Sequence, residues 1–351
     1  MKKKLIGIIF FSILFTISSI TTSSAKDVIK LTLNLAVPPT HQRWVLAIKP
    51  WIDEIETRSE GKVKIVPYFA QALSKQSDIY KSVVSGMADM GEAPFDRKPG
   101  QFPILETVFA LSTPSIAVKD STLMFNEFLQ NLPQAKNELK EVKTLFVHLS
   151  SPAFIGTSEV AIKKMEDFKG LKMMSWGALS KLVSQIGVVP VGMPFPDVYM
   201  AIQKGVLDAS IMTYTLLTDR KFGKVVHHVT PVTLGYSPFG MVMNKKAWSK
   251  LPKDVQNIFD EVNRDVAINL FNKFWWERTI KAKKTFEESM GGKTYYLSSG
   301  DLVKMDEIWH GLGKKIIQKT KVNPTGQAKI ISEFRKLELK YGVSLNEAYG
   351  N

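Results

Sequence analysis

The chain has 351 residues, with 47 Lys and Arg against 33 Asp and Glu, a formal charge of +14 and no cysteine. The lack of cysteine excludes disulfides, thiol catalysis and a lipid anchor on a cysteine. A basic balance can mean a nucleic acid or an anionic membrane as partner. Here the cations are spread along predicted helices beside Asp and Glu, with no RNA-binding aromatic motif and no zinc-finger spacing, so no nucleic acid is expected.

In chain order, Met1-Lys2-Lys3-Lys4 precedes an apolar run, Leu5–Ile20, and Ser23-Ser24-Ala25 offers the small residues a signal peptidase reads. That run is too short to span a bilayer comfortably. Residues 1–25 are therefore predicted to be a cleavable signal peptide, and the mature protein to be periplasmic and not a lipoprotein. Removal leaves 351 − 25 = 326 residues and, with Lys2, Lys3 and Lys4 gone, a charge of +11. This length suits about two domains.

Ile29–Ala36 alternates and reads as a strand, followed by the loop Val37–His41 and a helix over Arg43–Ser59 ending at Gly61. Lys62–Tyr68 is a second strand, Asp78–Ser85 a helix stopped by Gly86, and Asp89–Glu92 opens a third strand. This order predicts a parallel, doubly wound sheet, whose ligands sit beyond the carboxyl ends of the strands. The loops Pro38–His41, Phe69–Leu73 and Glu92–Phe95 are the ones to watch. Tyr80–Asp89 and Tyr199–Asp208 each give a short helix, a Gly stop, two apolar residues and an Asp, which suits two similar lobes. Leu145–Leu149 and Leu234–Met243 read as crossover strands. Pro252–Met290, Asp301–Lys319 and Gln327–Tyr341 read as helices, with Trp275 and Trp276 taken as packing.

The segment Asp167–Asp208 predicts a strand at Leu171–Ser175, a helix near Ala178–Ile186, a short buried strand ending near Met193, and a helix at Pro196–Lys204 stopped by Gly205. With its Gly170-Leu171-Lys172, Met193, Asp197, Tyr199, Gln203, Gly205 and Asp208, it resembles the substrate-binding subunits of tripartite ATP-independent periplasmic (TRAP) transporters. Gly61-Lys62-Val63, Met241–Asn244, Trp248 and Leu251-Pro252 extend the resemblance over most of the mature chain. It implies an α/β, two-lobed periplasmic binding protein of the Venus-flytrap type, with crossover strands and a long bracing helix. The expected domains are residues 26–146 plus 238–271 for lobe I, 147–237 for lobe II, and 272–351 for bracing and C-terminal helices.

The resemblance further implies a receptor that captures a small organic solute between its lobes and delivers it to membrane subunits of a TRAP transporter. A monomer is expected. An extracytoplasmic sensor for a signalling receptor is the runner-up. No enzyme is expected: the five histidines, His41, His148, His227, His228 and His310, accompany no His-Glu-x-x-His helix, nucleophile elbow, P-loop or dinucleotide fingerprint. No cofactor and no metal are expected either.

At the position of the family's carboxylate-gripping arginine stands Met174. Two further polar contact positions correspond to Phe154 and Met212, while Phe195 keeps an aromatic. With His41, Phe69, Glu92, Trp176 and Tyr214 these are the candidate ligand-binding residues. An apolar pocket cannot offset the desolvation of an unpaired carboxylate. The solute is therefore expected to be apolar, aromatic or amine-bearing, with Glu92 as counter-charge to an amine. The alternative is an organic acid held by a different arginine, Arg43 or Arg97.

Overall fold

Alternating apolar residues make the first strand, β1 (Ile29–Asn34), and bury Leu31 and Leu33. A π-helical turn at Trp44–Ile48 runs into α1 (Lys49–Arg58), with Pro50 in the first turn, where its missing N–H costs nothing. The computed structural model describes residues 28–98, 100–107, 111–175, 177–320 and 322–350, so the signal peptide read at 1–25 and the candidate Trp176 lie outside the described residues.

Strand β2 (Val63–Tyr68) pairs parallel to β1. Helix α2 (Ile79–Ser85) ends at Gly86, whose φ of +80° suits a residue without a Cβ, and delivers the chain into β3 (Met90–Pro94), parallel to β1 on its other side. After β4 (Ile116–Val118), α3 (Ser121–Asn131) and α4 (Pro133–Glu138) comes β5 (Val142–Leu149).

The chain then crosses into a second sheet. It adds β6 (Ala153–Thr157), β7 (Lys172–Met174), α5 (Gly177–Gln185), β8 (Val189–Val191), α6 (Phe195–Gln203), β9 (Ala209–Met212), α7 (Tyr214–Asp219) and β10 (His228–Gly235). It returns through β11 (Pro238–Asn244), α8 (Lys245–Lys250) and α9 (Lys253–Val262) to the 23-residue α10 (Ile268–Met290). The last elements are β12 (Lys293–Thr294), α11 (Ser299–Ile317), α12 (Pro324–Tyr341), β13 (Gly342–Ser344) and α13 (Leu345–Tyr349).

The strand orders are β2-β1-β3-β11-β5 and β12-β10-β6-β9-β7-β8, with β13 and β4 as a separate pair. The molecule is thus a two-lobed α/β protein with helices over both main sheets. Three sequence readings need correction. The first sheet is parallel only over β2, β1 and β3, because β11 runs antiparallel to both β3 and β5. The run Leu234–Met243 is two strands in two sheets, broken at Tyr236-Ser237. Strand β8 is an edge strand with exposed side chains, not a buried one.

Each main sheet is sandwiched between apolar clusters. Trp51, Phe146 and Phe271 fill one side of the first sheet, and Phe95, Phe125 and Phe128 the other. Gly240 in β11 makes room there, since a Cβ would stand 2.4 Å from the Phe95 ring. In the second lobe Trp309 and Phe168 fill one side, and Phe154, Tyr214 and Phe286 the other.

Helix α10 ties to the first lobe through Asn272, whose Nδ2 donates to Asp120 Oδ1 at 2.6 Å and whose Oδ1 accepts from the Thr122 amide at 3.1 Å. Behind the lobes, α11 and α12 grip the loop before β4. Glu338 accepts from the Thr113 amide at 2.7 Å and from the Thr113 hydroxyl. Arg335, 3.9 Å from Glu338, donates to the same hydroxyl at 2.7 Å and touches His310.

Candidate functional site

A cavity of about 630 Å³ lies where β5, β6, β9, β11, α7 and α10 meet the loops that follow β1 and β3. Burial in so concave a site suits a small solute. A second cavity, about 520 Å³, lies between α11 and β13. Two of its polar side chains are already engaged: Asp306 accepts from the Ser115 amide at 3.0 Å, and Ser344 from the Glu347 amide at 3.2 Å. The first cavity is the better candidate because it gathers charges and aromatic faces that are only partly engaged.

The wall from the first lobe is a chain of interlocked polar groups. Arg43, 5 % exposed, places one Nη 3.0 Å from Glu92 Oε2. The other Glu92 oxygen lies 3.2 Å from His148 Nε2, and Trp275 Nε1 donates to His148 Nδ1 at 3.1 Å. Since Nδ1 accepts, the neutral ring carries its proton on Nε2 and donates it to Glu92. The His148 ring stacks on Phe239 at 5.1 Å with 8° between planes, and the Arg43 guanidinium sits 4.7 Å from the Phe239 centroid. Burial alone would push the Glu92 carboxyl up. Arg43, then the His148 hydrogen bond, overcome this and hold it below its usual value. Burial holds the His148 ring down.

Beside them, His41 lines the cavity and accepts from the Arg43 amide through Nδ1 at 3.1 Å. Burial first and the neighbouring Arg43 second lower its pKa to about 4. Asp96 and Arg97, paired at 2.5 Å, come from the loop after β3. The hinge segment contributes Ser150, Ser151 and Ser237; the Ser237 amide donates to Ser150 Oγ at 2.9 Å, and Thr279 in α10 donates to Ser151 Oγ at 2.8 Å.

The wall from the second lobe is apolar at its base and charged at its rim. Phe195, Ile211 and Met212 line it, with Thr213 capping α7 by accepting from the Leu216 amide at 3.2 Å. Arg278 pairs with Asp219, and Arg220 pairs with no carboxylate among the described residues.

Of the candidates read from sequence, His41, Phe195 and Met212 line this cavity. Glu92 stands directly behind Arg43, with both oxygens engaged, so it is not free to face an amine. Phe69 packs edge-on against Trp44 at 4.7 Å. Phe154, Met174 and Tyr214 are packed in the second lobe's core, where Phe154 meets Tyr214 at 4.5 Å. Sequence reasoning passed over Arg278, Phe239 and Phe274 and assigned Trp275 to packing, yet all four line the cavity. No local motif marks them. Helical spacing from Phe274 to Arg278, one turn apart on α10, was the only available signal.

The family model "Bacterial extracellular solute-binding protein, family 7" matches residues 36–320. The chain is similar to a solute-binding protein of Verminephrobacter eiseniae, 25% identical over 253 residues that cover 70% of this chain and 73% of the relative. Among solved structures it is similar to a TRAP periplasmic solute-binding protein from Desulfovibrio salexigens, with a TM-score of 0.80, 25% identity, and 89% and 96% of the two chains covered. It is also similar to a marine metagenome TRAP solute-binding protein specific for aromatic acid ligands, in complex with metahydroxyphenylacetate. That match has a TM-score of 0.78, 25% identity, and 89% and 99% of the two chains covered.

Proposed function

We propose that this chain, which belongs to family 7 of the bacterial extracellular solute-binding proteins, is a periplasmic receptor for an aromatic monocarboxylate, captured between its lobes and handed to TRAP membrane subunits. The family is one of solute-binding receptors and not a class of enzymes.

One observation carries the ligand class: the charge count of the cavity. Arg43, Arg97, Arg220 and Arg278 stand against Asp96, Asp219 and Glu92, so four guanidiniums meet three carboxylates and leave a net charge of +1. A monoanion neutralises that remainder, a dicarboxylate overshoots it, and an amine adds to it. Phe195, Phe239, Phe274 and Trp275 supply faces for a flat apolar body. Of the readings made from sequence, this favours an organic acid held by a different arginine over an amine-bearing solute. The absence of an arginine at Met174 remains part of the reading, because the cations here come from other elements. The aromatic-acid specificity of the metagenome protein points the same way. Closure of the lobes would bury the ligand and shape the surface the membrane partner reads.

A thermal-shift series with benzoate, 3-hydroxybenzoate, succinate and choline tests this. A ligand at a hundred times its Kd adds about 2.7 kcal/mol of stability, which is several degrees in Tm for a protein of this size. Shifts with the two aromatic acids and none with succinate or choline are expected. A shift with choline alone would refute the reading.

A further inference from the structure

His41 closes the loop that leaves β1: its amide donates to the Pro38 carbonyl at 3.0 Å, and its Nδ1 accepts from the Arg43 amide at 3.1 Å. A ring nitrogen that accepts carries no proton, so the neutral imidazole bears its hydrogen on Nε2. That Nε2–H has no partner among the described residues, and His41 lines the cavity. Two residues on, Arg43 lines the same cavity. Glu92 takes one of its Nη groups, and its buried Nε has no acceptor. Leaving a buried donor unmade is costly, and native proteins rarely do so without reason.

The Arg43 guanidinium cannot swing away to satisfy itself. Glu92 holds it from below, His148 holds Glu92, and the Phe239 and Trp275 rings flank the guanidinium at 4.7 Å and 5.5 Å. His41 and Arg43, two positions apart, therefore offer fixed, unfilled donors to the same space, one neutral and one cationic.

We propose that His41 and Arg43 form the carboxylate clamp of the cleft, His41 donating from Nε2 and Arg43 from the Nη group that Glu92 does not take. The clamp rests on the monocarboxylate reading and assigns that ligand's anchor to the first lobe. A charged acceptor satisfies both donors, whereas a primary amide gives each a weaker bond and brings no charge to Arg43.

Isothermal titration with benzoate and benzamide separates the two levels. His41→Asn keeps a side-chain acceptor two residues before Arg43, so the turn survives, but its short amide does not reach the Nε2 position. His41→Gln reaches that position with an N–H. The wild type is expected to bind benzoate at least tenfold more tightly than benzamide. His41→Asn should lose about tenfold for benzoate and little for benzamide, and His41→Gln should recover most of the loss. Equal benzoate affinity in wild type and a folded His41→Asn overturns the clamp alone. Failure of the wild type to bind either benzoate or 3-hydroxybenzoate overturns the monocarboxylate reading and the clamp with it.

A second measurement needs no variant. The charged groups facing His41 are Arg43, Glu92, Arg220 and Asp219. With the ring neutral throughout, wild-type benzoate affinity stays flat from about pH 5.5 to 8. A loss of about tenfold across that range, the mark of an imidazolium donor with the ordinary histidine value of 6.5, overturns the neutral-donor assignment.

Discussion

Two buried clusters of this protein use the same three residue types and reach opposite charge states. At the cleft, Arg43 stands 3.0 Å from Glu92 and His148 donates to the second carboxylate oxygen, so the carboxyl is held below its usual value. Behind the lobes, Arg335 stands 3.9 Å from Glu338, its nearer partners being the Thr113 hydroxyl and His310. There burial wins, and Glu338 is pushed up to about 7 against the opposing pull of Thr113 and Arg335. In a low-dielectric interior less than an ångström of guanidinium distance, together with one imidazole N–H, decides whether burial or pairing prevails. The cleft cluster holds a fixed charge and the rear cluster a proton.

The largest test is to neutralise each carboxylate in turn. Glu92→Gln leaves the Arg43 guanidinium buried and unpaired, and should cost about 3–5 kcal/mol in urea denaturation at pH 7. Glu338→Gln should cost about 1 kcal/mol or less at the same pH, because the native group is already half protonated there. Equal losses would mean that the two guanidinium distances make no difference.

Next in size is the pH dependence. Glu338 binds its proton more tightly in the folded state, at about 7, than at the ordinary 4.5. Its extra stability is therefore fully present below pH 4.5 and is lost as the pH rises through 7. The loss is roughly 3 kcal/mol when complete. The difference between wild-type and Glu338→Gln stability, followed from pH 4.5 to 8.5, should trace that loss. Glu92 has the opposite sign: its contribution is present above pH 4.5 and lost on acidification. A flat difference curve for Glu338 would mean that Arg335 holds it ionised after all.

His148→Phe should cost about 1–3 kcal/mol, since Trp275 Nε1 loses its acceptor and Glu92 a donor while the ring stacked on Phe239 is kept. Smallest is Thr113→Val, about 1 kcal/mol. Its sharper readout is the Glu338 titration, which should move above 7 once the hydroxyl that favours the carboxylate is gone. A downward move would assign the hydroxyl the opposite role.

Much of the architecture was legible because its signals are local. Gly86 and Gly205 ended helices as read, at φ of +80° and +69°, since the left-handed residue after a helix excludes most side chains. The helices after Pro252 followed their apolar periodicity, although a π-helical turn at Asn263–Ala267 precedes α10. What periodicity could not supply was strand direction and layer. Leu234–Met243 looks like one β-rich run, yet two residues at Tyr236-Ser237 send its halves into different sheets. Strand β8 reads as buried by composition and is exposed because it ends up at an edge.

The site divides in the same way. Family-like position pointed to Phe154 and Met174, which the structure packs into core together with the neighbouring candidate Tyr214, and to Met212 and Phe195, which reach the cavity as His41 does. By itself the sequence determined the two-lobed family fold, the absence of thiol chemistry and the apolar residue at 174, because these depend on identity and order alone. Only the tertiary structure decided which cations share a space. Arg43 and Arg278 lie 235 positions apart (278 − 43), each with its own carboxylate, and no spacing rule brings them to one cavity. It also decided that Glu92 serves Arg43, because a carboxylate's role is set by the charge that burial places beside it.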